Sequence, residues 1–410
     1  MKIKILLINL KSPELAGQKQ TFMPPMHLWK IRSTLNTISC ISRVDICDEH
    51  IGDRCEDFFK RDKYLIVGIS CRFSIQHSEY VRVAEIAKET GSIVLSGGIH
   101  AAITPKPDAV EYTTRMQGES WFRSMLVKDF VDENINTFEP PYFEIEELEK
   151  YWKLKRPHDL QSVTDKWMSI VTSIGCAREC GFCGIKDFAG SWNPYSLEYM
   201  DSYLKYLKEK GIEELFIEDD NISWDKQRFL SLIELFKKYN FMWSCPNGIY
   251  VKSLMDEKVI KALFASGCWR LSLPFETGSK KTAELMHLGK KWMPFEEANR
   301  IVNKLNSIGI KTCGFFIIGY PGETEKDIRQ TFDYANRLNL DQRNIYIATP
   351  YPGTELYKIC LDKKYIVVDN DFYGKLLYKS AIINTPWLSA ERVLEMKAED
   401  REKALRRKSC

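Results

Sequence analysis

No stretch of the sequence reaches the eighteen or so consecutive apolar residues of a membrane-crossing helix, so an integral helical membrane protein is excluded. Its most apolar opening run, Ile3 to Leu10, is short, is broken by Lys4 and lacks a small-residue cleavage site, which predicts a strand and not a secretory signal. Charge of one sign is lacking too: 59 basic residues against 56 acidic ones leave +3, giving no general reason for a nucleic-acid or membrane partner. The basic run from Arg401 to Lys408 is local and fits a solvated helix face. Short internal repeats and low-complexity tracts are absent as well. A cytoplasmic location is the expectation, and there twelve cysteines point to thiols or metal ligands and not to a disulfide framework.

What the chain does have is enough length, 410 residues, for two cores, with 44% apolar and 28% charged residues as in ordinary globular proteins. Strand patterns at 3–9, 43–47, 64–70 and 92–96 alternate with helical patterns at 27–37 and 78–90, the rhythm of an open, doubly wound parallel sheet. Gly97-Gly98 follows the fourth strand directly, where such sheets bind ligands. This first domain is expected over residues 1–130, followed by an acidic linker with proline and aromatic residues at 131–165. A second alternation begins at Trp167, with six strand patterns at 169–173, 214–218, 242–245, 270–274, 312–318 and 344–348. It predicts an incomplete parallel α/β barrel over 166–356, and a small, largely helical extension over 357–410.

Cys176-Ala-Arg-Glu-Cys180-Gly-Phe-Cys183 stands immediately after the first strand of this second alternation. Three thiolates spaced four and three residues apart in a glycine-containing loop can converge on one centre. A closed zinc site needs a fourth ligand, and the nearest in sequence, His158 and Cys245, are distant. Soft thiolates suit iron–sulfur clusters, and a cubane held at three irons keeps its fourth iron open.

In this loop the sequence resembles the radical S-adenosylmethionine superfamily, whose signature is a C-x-x-x-C-x-x-C loop after the first barrel strand. The resemblance implies that Cys176, Cys180 and Cys183 hold a four-iron four-sulfur cluster. It implies that the open iron chelates the amino and carboxylate groups of S-adenosylmethionine, and that one electron, from a flavodoxin- or ferredoxin-type donor, cleaves the sulfonium to a 5′-deoxyadenosyl radical. Glu218-Asp219-Asp220-Asn221 ends the second strand, where family members place polar groups that meet the methionyl amine; a helix cap is the competing role. Glu276, in Phe275-Glu-Thr-Gly-Ser279, resembles a residue that orients ribose or methionyl atoms, with a capping role as the alternative. Gly319-Tyr-Pro-Gly-Glu-Thr324 and Pro350-Tyr-Pro-Gly-Thr-Glu-Leu-Tyr357 are similar to turns of the branch that carries an N-terminal cobalamin domain; Glu323 and Thr324 are expected as first-turn acid and cap of a helix.

The likeness continues to the N-terminus through Met23-Pro-Pro-Met26, Asp45-Ile-Cys-Asp48-Glu49, Ser96-Gly-Gly-Ile-His100 and Gly118-Glu119. It implies a Rossmann-like cobalamin-binding domain, with Gly97 and Gly98 allowing close approach to the nucleotide tail and His100 at the corrin edge or at the surface. The D-x-H-x-x-G motif of many other cobalamin proteins is absent, since Asp48-Glu-His50-Ile-Gly52 has the wrong spacing and follows the second strand, so His50 is not assigned to cobalt. The activity implied is cobalamin-dependent methylation of an unactivated carbon in a small metabolite or peptide. Alternatives are cobalamin-dependent rearrangement or cyclisation, cobalamin-free hydrogen abstraction, and, outside enzymes, an iron–sulfur electron carrier.

Overall fold

The computed structural model describes residues 2–12, 22–115, 117–127, 134–154, 162–368, 371–377 and 379–408. The expected boundary at 130/131 and His158 lie outside the described residues. The chain divides into two compact units, Met1–Ile170 with Pro194–Glu214, and Val171–Asn193 with Leu215–Cys410.

The first unit is built on the strands β1 (Ile3–Asn9), β2 (Ile41–Asp48), β3 (Ile66–Ser70), β4 (Ile93–Gly97) and β5 (Tyr112–Thr113), all paired in parallel in the order β2-β1-β3-β4-β5. The chain therefore moves outward from β1 to β2 and then returns past β1 to β3. This is a doubly wound sheet of the flavodoxin-like order, with its switch point between β1 and β3. Burial on both faces follows from the near-continuous apolar runs: Ile5 and Leu7 enter one core with Leu28, Leu35 and Phe122, while Leu6 and Ile8 enter another with Tyr80, Val83 and Ala87. The covering helices include α1 (Met26–Leu35), α2 (His77–Glu89) and α3 (Gly118–Leu126). The acidic stretch expected as an extended linker contains the helix α4 (Ile145–Leu154). Leu148 and Tyr151, three residues apart, bury one face of it, and Tyr151 meets Trp29 edge-on. The strand Trp167–Ile170, β6, and the helix Leu197–Glu209, α5, capped by Ser196, also group with this unit.

The second unit carries β7 (Glu214–Ile217), β8 (Met242–Cys245), β9 (Cys268–Glu276), β10 (Lys311–Ile318) and β11 (Gln342–Ile347), neighbours in that order in one sheet, with parallel pairing from β8 to β11. Helices α6 (Lys226–Lys238), α7 (Glu257–Ala265), α8 (Lys280–Leu285), α9 (Phe295–Ser307) and α10 (Glu325–Arg337) alternate with the strands. Several begin at a side-chain cap that sequence alone offers: Asp225 accepts from Arg228 N, Asp256 from Lys258 N and Ser279 from Thr282 N. The extension holds α11 (Glu355–Asp362), capped by Thr354, and α12 (Ala390–Lys408). Among the described residues, no helix is long and apolar enough to cross a membrane.

Candidate radical site

The cysteine loop is fixed by its backbone. Gly181 N donates to Met286 O at 3.0 Å and Gly181 O accepts from Leu356 N at 2.8 Å, so the loop is tied to the ends of α8 and α11. A side chain at Gly181 would have its Cβ 2.6 Å from the Tyr320 hydroxyl and 3.1 Å from Glu355 Oε2, which explains the glycine between the second and third cysteines. Gly175, at φ +78°, turns the chain into the loop against the carbonyls of Ala189, Gly190 and Ser191. Cys180 is buried, Cys176 half-buried and Cys183 exposed. Among the described residues, their thiols do not gather within 4.8 Å of one another.

The polar run after β7 divides its tasks. Asp219, fully buried, accepts from Thr172 N at 2.6 Å, Thr172 Oγ1 at 2.7 Å and Ser173 Oγ, and burial lifts its carboxyl to about 6. It holds the segment that leads into the cysteine loop. Asp220 Oδ2 accepts from Gly175 N at 3.1 Å, a second tether on the same segment. Glu218 is bound to Asn247 Nδ2 through its carbonyl (2.9 Å) and its carboxylate (3.1 Å). Asn221 is the member that sequence reasoning left unassigned: its Nδ2 lies 3.9 Å from Cys176 Sγ, while its buried Oδ1 has no hydrogen-bond partner. That buried carbonyl oxygen is an acceptor without a donor.

Glu276 ends β9 at a break in the strand register, and its φ of +67° is strained for a residue with a side chain. Its carboxylate accepts from Lys291 Nζ at 2.6 Å, both side chains being nearly buried. Lys291 also lies 6.0 Å above the ring of Phe182 in the cysteine loop. No local motif singles out Lys291 in sequence, because it reaches the site from fifteen residues beyond Glu276. Glu323 differs from expectation: Thr324 caps α10, with Asp327 completing the capping box, whereas Glu323 lies before the cap. The Glu323 carboxylate accepts from Tyr320 N and Thr282 Oγ1, and burial raises it to about 7.

In the first unit the C-terminal strand ends bring Asn9, Asp48, Ser70 and Gly97 to one edge. Asn9 Nδ2 donates to Asp48 Oδ1 at 2.8 Å, and His27 Nε2 lies 2.9 Å from Ser70 Oγ at the switch point. His27 and Ser70 were not singled out by sequence. Gly98, at φ +96°, approaches protein closely: an added Cβ would stand 2.5 Å from Cys71 O. Gly97 is less crowded, with Thr114 Cγ2 at 3.4 Å from such a Cβ. His100 is buried, not at the surface; His77 Nδ1 lies 2.9 Å from its Nε2 and Ser74 Oγ 3.1 Å from its Nδ1. The glycines and His100 thus shape the β3–β4 edge from within.

Residues 170–335 match the Radical SAM superfamily. That segment is a Radical SAM domain. It is 29% identical over 261 residues to the cytidylyl-2-hydroxyethylphosphonate methyltransferase of Streptomyces wedmorensis, a match over 62% of this chain and 48% of that protein, so it spans about half of this relative. It is 26% identical over 338 residues to the bacteriochlorophyllide d C-12(1)-methyltransferase of Chlorobaculum tepidum, covering 78% of this chain and 70% of that protein. Among solved structures, the radical S-adenosylmethionine methyltransferase TsrM from Kitasatospora setae, bound to tryptophan and aza-SAM, superposes with a TM-score of 0.66 at 16% identity, over 90% of this chain and 78% of that one. At that identity the likeness shows a shared fold.

Proposed function

We propose that this chain is a cobalamin-dependent radical S-adenosylmethionine methyltransferase acting on a small molecule. The observation that carries the reading is the Cys176-Cys180-Cys183 loop, fixed by Met286 and Leu356 and placed beside Asn221, Phe182 and the Glu276–Lys291 pair. The three cysteines hold the four-iron four-sulfur cluster, which with S-adenosylmethionine supplies a 5′-deoxyadenosyl radical for hydrogen abstraction. Asn221 Oδ1 offers its unused lone pairs to the methionyl ammonium, the kind of donor that a buried acceptor requires. Asp219 and Asp220 act through the loop, by holding Thr172, Ser173 and Gly175. Glu276 and Lys291 present one charge of each sign near the cluster loop, suited to orienting a zwitterion.

The methyltransferase half of the proposal draws on the names of the relatives and on the N-terminal doubly wound sheet. Cobalamin is assigned to the β1/β3 edge of the first unit, where Asn9, His27 and Ser70 supply hydrogen-bonding groups. The chain itself contributes position and electrostatics. A flavodoxin- or ferredoxin-type donor is the expected source of electrons. The test is anaerobic reconstitution with hydroxocobalamin, desalting and an absorption spectrum, followed by mass spectrometry of products formed from methyl-labelled S-adenosylmethionine. Near-stoichiometric corrin and a labelled product support the reading; turnover undiminished without corrin removes the cobalamin half.

A further inference from the structure

The sheet of the second unit has two unlike faces. On β9, Leu271, Leu273 and Phe275 are buried, and Phe275 stacks on Phe316 of β10 and meets Tyr334 of α10, so this face carries the helices. Arg270, Ser272 and Pro274 alternate with them and face the other way. On β10 the partly exposed Phe315 and Ile317 alternate with the buried Gly314, Phe316 and Ile318. On β11, Asn344 reaches Cys313 Sγ at 3.6 Å across this second face, and Tyr346 meets Phe315 edge-on. The second face is partly exposed at Gln342, Asn344, Phe315, Ile317 and Tyr346, while the helix-bearing face is closed.

Its polar end is unusual. Arg270 is 4% exposed, yet among the described residues no carboxylate pairs with it. Among the described residues, the one hydrogen bond of its side chain runs from Nη2 to Gln342 Oε1 at 3.3 Å, across the intervening strand β10. Close by in register, Ser244 of β8 pairs with Arg270, and the hydroxyls of Ser244 and Ser272 are buried without a partner. A buried guanidinium held only by a neutral amide is costly, and two idle hydroxyls add to that cost. An oxyanion seated against Arg270 would pair with its charge, since guanidinium presents a planar fork of donors to carboxylate or phosphonate oxygens.

We infer that Arg270, with Ser244, Ser272 and Gln342, binds an anionic group of the substrate. This rests on the proposed radical chemistry and narrows its substrate class to elongated molecules bearing a carboxylate, phosphate or phosphonate. Arg270 and Glu276 are six residues apart on β9, about 20 Å of strand. The anionic end is held at one level, and the rest of the molecule extends past Pro274, Phe315 and Tyr346 toward Glu276.

The test is ligand-observed NMR on the full chain with succinate and ethylphosphonate as probes and succinamide as the uncharged control. The wild type is expected to bind both anions and not succinamide, and Arg270→Gln to weaken both at least tenfold, with a smaller loss in Arg270→Lys, which keeps the charge. If Arg270→Gln does not fold, Arg270→Lys combined with Ser272→Ala is expected to weaken both anions at least threefold. No anion binding by the wild type, or equal binding by the folded variants, overturns the inference. Release of 5′-deoxyadenosine by reconstituted wild type is measured alongside; its absence would remove the radical reading and leave the anion result standing.

Discussion

The Lys291 ammonium stands 2.6 Å from a Glu276 carboxylate oxygen, with side-chain exposures of only 14% and 8%. Removing one partner strands a buried charge, whereas removing both removes the conflict. Glu276→Gln and Lys291→Met are each expected to lower stability by about 3 kcal/mol, with the double variant losing less than their sum. Urea unfolding of the four proteins checks this; strictly additive losses would show that the pair is not coupled.

Gly181→Ala keeps all three cysteines but puts a methyl group 2.6 Å from the Tyr320 hydroxyl. Tyr320 is buried, so the cysteine loop has to yield. Iron content after reconstitution is expected to fall severalfold, and to recover in part in Gly181→Ala with Tyr320→Phe, which frees the space of the hydroxyl. Full iron in the single variant would contradict this account of the loop.

His100 titrates at about 4 in the folded chain, because burial, and then the neighbouring His77, disfavour its charged form relative to the ordinary 6.5. The unfolded chain therefore binds more protons between pH 6.5 and 4, and the stability contributed above that window is lost as pH falls through it. At pH 5 the loss is about 2 kcal/mol. Thermal unfolding at pH 7 and pH 5 is expected to show a smaller acid shift in His100→Gln than in the wild type; equal shifts would place the acid sensitivity elsewhere.

How far the sequence carries the reading differs from residue to residue, for physical reasons. The cysteine triplet is legible because cluster ligation demands one residue type at fixed local spacing. The strands are legible where apolar runs are continuous, while β5, two residues long, gives no periodic signal. The helix α4 is hidden in an acidic stretch because its buried face rests on only Leu148 and Tyr151. Asp219, Asp220 and Asn221 are alike in sequence as polar strand-end groups. Only the fold shows that Asp219 is occupied by Thr172 and Ser173, while Asn221 Oδ1 is left without a partner. Lys291 and Arg270 matter through what lies across space from them, which no local spacing encodes. His100 reads as exposed because histidine often is, yet the tight turn at Gly98 carries it inward to Ser74 and His77.

The central claim is that Cys176, Cys180 and Cys183 hold a cluster with one iron open to S-adenosylmethionine. It is tested most directly by electron paramagnetic resonance of the reduced, reconstituted protein before and after S-adenosylmethionine is added. The account predicts a four-iron cluster signal that changes on addition in the wild type and is missing when any one of the three cysteines is replaced by alanine. A spectrum unaltered by S-adenosylmethionine, or an undiminished signal in Cys180→Ala, would contradict it.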